Sequence, residues 1–260
     1  TVLSQTVACI LVVMCMVMDK GAIHLDILRM KLHRAQVSLI FRIGVPAGLQ
    51  GMMFSVSNIV IQSSVNLFGN VVMAGNAAAM NIEHFVYFAM NAFHHATISF
   101  ASQNYGAGNF KRILKILFIA QVCVIFTGFV LGATSYIFAA PLISIYSRSP
   151  EVIAAGTVRL GIVCKTYLLC GIMDVFVGAL RGIGHSILPM IITMCGSCIL
   201  RLVWIATVFQ IPRFHTIEVI YFSYPISWVA TFTVLGIVFF KKYREVLNLR
   251  CSSIPQDPLQ

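Results

Sequence analysis

Long apolar runs separated by short polar segments dominate the pattern of this 260-residue chain. From Ile116 to Ile145 there is no charged residue. A helix rises about 1.5 Å per residue, so about 20 apolar residues cross the hydrocarbon core of a bilayer. The pattern predicts an all-α fold, a polytopic membrane helix bundle with about seven transmembrane helices. These predicted spans cover residues 2–18, 39–67, 71–103, 114–140, 152–180, 187–209 and 217–240.

Composition and charge agree with a membrane protein. The chain is 59% hydrophobic and 10% charged, whereas a soluble chain averages about 25% charged residues. The net charge of +10 would favour nucleic-acid binding in a soluble protein, but here the basic residues cluster between apolar runs. We therefore expect no nucleic-acid partner and interpret the charge as topology. The basic loops, including Arg181, and the C-terminus are predicted in the cytoplasm, with Arg148, Arg159 and Arg213 on the opposite side.

The third span carries a polar stripe. Asn76, Glu83, Tyr87, Asn91 and either His94 or His95 follow spacings that place them on one helical face. Such a stripe faces other helices or water rather than lipid. The amides could equally serve as hydrogen-bonding contacts between helices. For Glu83 we favour a role in ion coupling, since a carboxylate is costlier to bury than an amide and can exchange a proton.

Further polar residues lie inside other spans. The second span repeats the stripe without charge. Asn58 and Gln62 are its candidates for lining a cavity, with hydrogen bonding between helices as an equal alternative. Asp174 on the fifth span is a second ion-coupling candidate, with Lys165 and Arg201 as charged cavity-lining candidates. Intramembrane charges usually mark ion or substrate paths. Pairing among these charges within the bundle is the alternative, and Asp174 with Arg201 is one possible pair.

Signals for enzyme chemistry are absent from the sequence. The glycines of 178–184 match neither phosphate-binding pattern, and no strand is predicted before them. His94 and His95 are adjacent and point to different helical faces, so we expect no metal site. The eight cysteines lie mostly in apolar runs and read as small packing residues. We predict a protein that is not an enzyme and that holds no cofactor.

Four stretches resemble one family, the multidrug and toxic compound extrusion (MATE) transporters. They match parts of the family's seventh and eighth helices and the turns after helices eight and ten, in the family's order and spacing. The stretches are Gly44-Val45-Pro46, Leu67-Phe68-Gly69 followed by Met73-Ala74-Gly75, Ser102-Gln103-Asn104-Tyr105-Gly106-Ala107-Gly108-Asn109, and Gly178-Ala179-Leu180-Arg181-Gly182-Ile183-Gly184 with Pro189 after it.

The resemblance implies the C-terminal half of a roughly twelve-helix protein in the cell (plasma or inner) membrane. Residues 1–18 would be the final helix of an N-lobe that is otherwise missing, 19–38 a cytoplasmic inter-lobe link containing a short amphipathic helix, 39–245 a six-helix C-lobe and 246–260 a disordered tail. The family exports organic cations and other amphipathic compounds in exchange for H⁺ or Na⁺. Two lobes rock about a central cavity.

The chain departs from the family in its carboxylates. Some members have an acid on helix seven, where this chain has none between Ile43 and Asn66. They also have an acid on helix ten about one turn before the position of Asp174. The position of the ion site therefore stays open, and coupling could also lie in the missing lobe. Two other functions are open as well: a flippase for lipid-linked sugars or another amphiphile, and a membrane scaffold that transports nothing.

Overall fold

The computed structural model describes residues 2–19, 21, 24–26 and 31–253, with side chains up to residue 248. No strand occurs in this part of the chain. Its α-helices are α1 (Val2–Met18), α2 (Arg34–Asn66), α3 (Asn70–Gly106), α4 (Phe110–Ile137), α5 (Ala139–Ser144), α6 (Pro150–Gly182), α7 (Ile187–Thr193), α8 (Leu200–Ala206) and α9 (Ile217–Ser253). A π-helical segment, Met194–Ile199, joins α7 to α8, and a 3₁₀ turn, Pro212–Phe214, precedes α9. The all-α fold that the sequence predicts is confirmed.

The chain divides into two units, residues 1–44 and residues 45–260. The first contains α1 and the start of α2. After α1 the chain turns back, and the Leu25 amide donates to the Met16 carbonyl at 2.9 Å. Ile23, Ile27 and Met30, on which the predicted amphipathic helix depends, lie outside the described residues. Residues 24–26 and 31–33 are not helical, and α2 begins at Arg34, before the predicted residue 39.

Five helical stretches are long and apolar enough to cross a membrane: α2, α4, α6, the continuous stretch Ile187–Ala206 and α9. They correspond to five of the seven predicted spans. The α1 helix is shorter, with 17 residues. The 37-residue α3 is long enough to cross a membrane, but it is not one of these five stretches. The α9 helix continues to Ser253, past the boundary predicted at residue 245.

The second unit is organised around α6. This helix packs against α3, α4 and α9. Val175, Ala179 and Leu180 of α6 are fully buried in the main core, together with Val124 of α4 and Tyr221 of α9. Burial of these side chains inside the bundle, while many other apolar side chains are exposed, is the arrangement expected of helices that also face lipid.

Small residues let α3 and α6 approach closely. A Cβ atom added at Gly75 would lie 2.7 Å from both the Gly156 amide nitrogen and the Val152 carbonyl oxygen. Backbone atoms cannot move aside as the end of a side chain can. The contact between these two helices therefore requires glycine at position 75.

We expect Gly75→Ala to destabilise the protein by about 1–3 kcal/mol, because the added methyl group forces α3 away from α6. Thermal unfolding of the detergent-purified protein measures this loss. Gly48→Ala is the matched control, since a Cβ there meets no atom within 4 Å and alanine favours the helix by about 0.5–1 kcal/mol. Equal melting temperatures for the two variants would contradict the close approach.

Candidate functional site

A buried ion pair joins α3 to α6. The Arg159 Nε and Nη2 atoms donate to the Glu83 Oε1 and Oε2 atoms at 2.7 and 2.8 Å, a bidentate geometry. Both residues are almost completely buried, with 2% of Arg159 and 6% of Glu83 exposed. The third nitrogen, Arg159 Nη1, donates to Asn76 Oδ1 at 2.8 Å. Each guanidinium nitrogen therefore has a partner, and the carboxylate has a matching cation.

Polar side chains of α2 and α9 extend this pair into a network. Asn76 Nδ2 donates to Gln62 Oε1 at 2.7 Å, and Gln62 Nε2 donates to Asn66 Oδ1 at 2.9 Å. The Tyr221 hydroxyl donates to Asn76 Oδ1 at 3.2 Å. The Arg159 guanidinium carbon lies 5.2 Å from the centre of the Tyr221 ring, within cation–π distance. The network thus holds four helices together through satisfied hydrogen bonds.

A separate cavity of about 480 Å³ lies between α2, α3, α6, α8 and α9. Its volume is in the range of small-molecule binding sites. Its polar and charged lining residues are Gln50, Asn58, His84, Asn91, His94, His95, Asp174, Arg181 and Arg201. Its aromatic lining residues are Phe54, Tyr87, Tyr167, Tyr224 and Trp228. A lining that is both aromatic and charged suits an amphipathic small molecule.

Asp174 is the carboxylate residue in this lining. It is half-buried, and its backbone carbonyl accepts a hydrogen bond from His94 Nδ1 at 2.7 Å. That bond fixes α3 against α6 without using the carboxylate. Among the described residues, no side chain donates a hydrogen bond to the Asp174 carboxylate and none forms an ion pair with it. The carboxylate can therefore take up a proton or a cation from the cavity.

Arg201 reaches the cavity from the start of α8, directly after the π-helical segment. π-Helical turns often occur at functional positions. Arg201 Nε donates to Ser227 Oγ at 2.8 Å. The guanidinium carbon lies 4.3 Å from the centre of the Tyr224 ring. The side chain is 3% exposed, so this cation is deeply buried among neutral partners.

Arg181, at the end of α6, also lines the cavity. Its Nη2 donates to Gln50 Oε1 of α2 at 2.7 Å. The distribution of basic residues predicts Arg181 in a hydrated cytoplasmic loop, but its side chain is half-buried. Arg181 and Asp174 lie seven residues apart on α6, a spacing of about two turns that places both on one face. The predicted common face of these two charges therefore contributes to the cavity.

The structure divides the predicted site residues among three places. Six of them line the cavity: Asn58, Tyr87, Asn91, His94, Asp174 and Arg201. Gln62, Asn76 and Glu83 belong instead to the buried network. Lys165 is exposed and does not line the cavity, because its Nζ lies over the Tyr136 ring, 3.5 Å from the centre. The polar stripe of α3 thus serves the network at one end and the cavity at the other.

Sequence reasoning missed Arg159 and Arg181 as interior residues. Arg159 was counted with the outer loops for the charge rule, yet it is buried in α6 and paired with Glu83. Its position inside an apolar run was the available signal. Arg201 and Asp174 both line the cavity, but no ion pair between them occurs in the described part of the chain. The aromatic residues Tyr167, Tyr224 and Trp228 gave no sequence signal beyond hydrophobicity.

Metal-ligating residues do not cluster in the described ranges, where no group of three or more His, Cys, Asp or Glu side chains could hold an ion. Adjacent His94 and His95 have ring centres 5.3 Å apart in an edge-on arrangement. Both rings line the cavity, but their edge-on arrangement does not direct them at one metal position.

A membrane-spanning helix bundle with a polar, aromatic cavity and charges inside its helices defines the class of polytopic membrane transport proteins. A family model described as MatE matches residues 46–207, more than half of the chain. The chain belongs to this family, and the resemblance stated from its motifs is confirmed.

The curated relatives share less than 30% sequence identity with this chain, and the chain aligns with only part of each relative. "Probable multidrug resistance protein YpnP" of Bacillus subtilis is 28% identical over 164 residues, 63% of this chain and 37% of the relative. "FAD transporter" of Shewanella oneidensis is 24% identical over 193 residues, 74% of this chain and 42% of the relative. The chain therefore spans less than half of the length of these relatives.

Solved structures share the fold. A crystal structure of "MATE in complex with MaL6" superposes with a TM-score of 0.85 at 15% identity, covering 95% of this chain and 56% of that one. The bent form of the Vibrio cholerae MATE transporter VcmN superposes with a TM-score of 0.73 at 19% identity, covering 83% of this chain and 49% of that one. At these identities the likeness concerns the fold alone.

Proposed function

We propose that this chain forms part of a secondary active efflux antiporter. It would export small amphipathic compounds across the cell membrane in exchange for H⁺ or Na⁺. The observation that carries the proposal is the Asp174 carboxylate, which has no direct partner among the described residues and lines a cavity of about 480 Å³. Membership in the MatE family and the names of the multidrug relatives support it. No covalent chemistry and no cofactor are needed.

Asp174 is the proposed ion-coupling residue. A proton or Na⁺ on its carboxylate removes a negative charge from the cavity and changes which arrangement of two lobes is favoured. Substrate release would follow this change. Each elementary charge moved across the membrane contributes about 2.3 kcal/mol per 100 mV, enough to bias such an equilibrium. The second lobe would be an N-terminal half of the same protein, and we place the C-terminus in the cytoplasm.

Glu83, the other ion-coupling candidate, has a different environment. Its two oxygens are engaged by Arg159, and Glu83 does not line the cavity. Binding a coupling ion there would leave the Arg159 guanidinium buried without its counter-charge. We therefore propose that Glu83 holds α3 to α6 and that Asp174 alone of these two carboxylates exchanges the ion.

Gradient-driven export from vesicles tests the proposed function. The protein that contains this chain is reconstituted with ethidium, an aromatic cation, or carboxyfluorescein, an aromatic anion, and export is followed by fluorescence. We expect export of at least one dye to stop when an ionophore dissipates the H⁺ or the Na⁺ gradient. Export that persists after both gradients are dissipated, or no export of either dye, would contradict the antiporter.

A flippase for an anionic amphiphile is the second candidate, favoured by one observation. Two arginines, Arg181 and Arg201, face one carboxylate, Asp174, in the cavity. A basic cavity suits the phosphate groups of lipid-linked sugars. Translocation of a fluorescent short-chain phospholipid between leaflets, in the absence of any ion gradient, would support the flippase against the antiporter.

A further inference from the structure

Two arginines of the cavity have N–H groups that lack an acceptor. Arg201 Nη2 and Arg181 Nε are both buried atoms with no hydrogen-bond partner in the part of the chain that the structure describes. Buried polar atoms nearly always have partners, and an unsatisfied donor on a charged group is costly. Both residues line the same cavity. The missing acceptors therefore point to something that enters this space.

Arg201 has the stronger need for an anionic partner. Its side chain is 3% exposed, as deeply buried as Arg159 at 2%. Arg159 is neutralised by Glu83 within the fold, whereas the hydrogen-bond partner of Arg201 is the neutral hydroxyl of Ser227. A buried cation without a counter-charge is unfavourable unless an anion joins it. The planar guanidinium fork fits a carboxylate or a phosphate.

Aromatic rings form the wall beside Arg201. The Tyr224 and Trp228 rings lie 5.8 Å apart between centres, and the Tyr167 and Trp228 rings lie 5.3 Å apart. All three line the cavity. The Arg201 guanidinium itself lies over the Tyr224 ring, and the three rings together form an aromatic wall against which a planar aromatic group packs. A ligand that satisfies both features carries an anionic group on an aromatic body.

The charge of the cavity agrees with this reading. Arg181 and Arg201 supply two positive charges, and Asp174 supplies one negative charge. An organic cation would be repelled by two guanidinium groups and would have a single carboxylate to bind. An anion would meet two guanidinium groups with unused donors.

We propose that the substrate of this cavity is an aromatic anion, whose carboxylate or phosphate binds Arg201 and Arg181 and whose ring packs against the aromatic wall of Tyr167, Tyr224 and Trp228. The proposal rests on the proposed export function only in calling the ligand a substrate. Binding itself needs no gradient. The cationic substrate that the family resemblance implies makes the opposite prediction.

Trp228 provides a reporter inside the cavity. The chain has two tryptophans, and the other, Trp204, donates its indole N–H to the Val219 carbonyl and does not line the cavity. The Trp204→Phe variant in detergent therefore leaves Trp228 as the tryptophan of this chain, and the part of the fluorescence that a further Trp228→Phe change removes is the signal from the cavity. Adenosine 5′-monophosphate and adenosine form a matched pair of probes that differ by one phosphate group. Benzyltrimethylammonium is the aromatic cation for comparison.

We expect the monophosphate to quench Trp228 with a dissociation constant about tenfold or more below that of adenosine, since charge-assisted bonds to guanidinium are the strong ones. Benzyltrimethylammonium should not compete. Arg201→Gln should raise the constant for the monophosphate to about that of adenosine. Lys165→Gln, which removes an exposed cation of α6 outside the cavity, is the matched control and should leave the constant unchanged.

Several outcomes would overturn the inference. One is equal binding of adenosine and its monophosphate by Trp204→Phe. This measurement changes no arginine, so it does not depend on whether Arg201→Gln folds. Another is displacement of the monophosphate by benzyltrimethylammonium. Equal binding of dihexanoyl phosphatidate, a lipid phosphate without a ring, would overturn the aromatic part. Ethidium export driven by a gradient, without monophosphate binding, would refute this inference and leave the antiporter standing.

Discussion

Glu83→Gln should destabilise the protein by about 3–5 kcal/mol, the usual cost of removing one partner from a buried ion pair. The substitution keeps the size of the side chain but removes its charge. Arg159 is then left as a buried cation, 2% exposed, with tyrosine rings and the amide oxygen of Asn76 around it. A large fall in the thermal unfolding temperature of the detergent-purified protein is the expected measurement.

Two controls separate the lost pairing from the lost carboxylate. Glu151→Gln removes an exposed acid in the first turn of α6 and should cost no more than about 1 kcal/mol through the helix dipole. The double variant Glu83→Leu with Arg159→Met removes both charges and should recover most of the stability. An unfolding temperature for Glu83→Gln equal to that of Glu151→Gln would show that the pair does not stabilise the fold.

Asp174→Asn should lower the rate of gradient-driven export about tenfold or more, while the protein stays folded. Asparagine has nearly the same shape as aspartate but neither exchanges a proton at physiological pH nor carries a charge to hold Na⁺. Stability should change little, because the carboxylate has no hydrogen-bond donor among the described residues to lose. Dye export from vesicles and thermal unfolding, measured on the same preparation, check the two halves of this prediction.

Exchange without a gradient provides the sharper readout for Asp174. Dye exchange between the two sides of the membrane requires that the cavity open alternately to each side. It does not require ion coupling. Asp174→Asn should retain this exchange and lose accumulation against a gradient. Glu151→Gln removes an exposed carboxylate that lies far along α6 from Asp174. This variant should retain both exchange and accumulation. Gradient-driven export at the normal rate by Asp174→Asn would remove this carboxylate from the coupling mechanism.

The sequence predicted which face of α3 is polar but not what lies opposite each polar residue. Helical periodicity depends on neighbours three and four positions away, so it places Glu83 and Tyr87 on one face. The partner of Glu83 is Arg159, which is 76 positions away in the chain. That pairing depends on how α6 packs against α3. Packing of this kind is tertiary information that a periodic pattern does not contain.

Charge counting failed at the two arginines near the ends of α6. Arg159 and Arg181 lie within a turn or two of predicted loops, where the positive-inside rule expects basic side chains in water. In the structure both side chains turn inward, one to Glu83 and one to Gln50. The rule concerns side chains that remain hydrated. The positive-inside rule does not describe an arginine whose side chain donates to an acceptor inside the bundle.

The hydrogen bonds around Arg159 constrain how the second unit can move. Glu83 and Asn76 of α3 and, through Asn76, Tyr221 of α9 are tied to one guanidinium on α6. Sliding or rotating any of these three helices by a fraction of a turn would break several bonds in a place that water does not reach. α3, α6 and α9 should therefore travel together as a rigid body at this level. Any alternation of access must be accommodated by bending elsewhere, not by shear between these three helices.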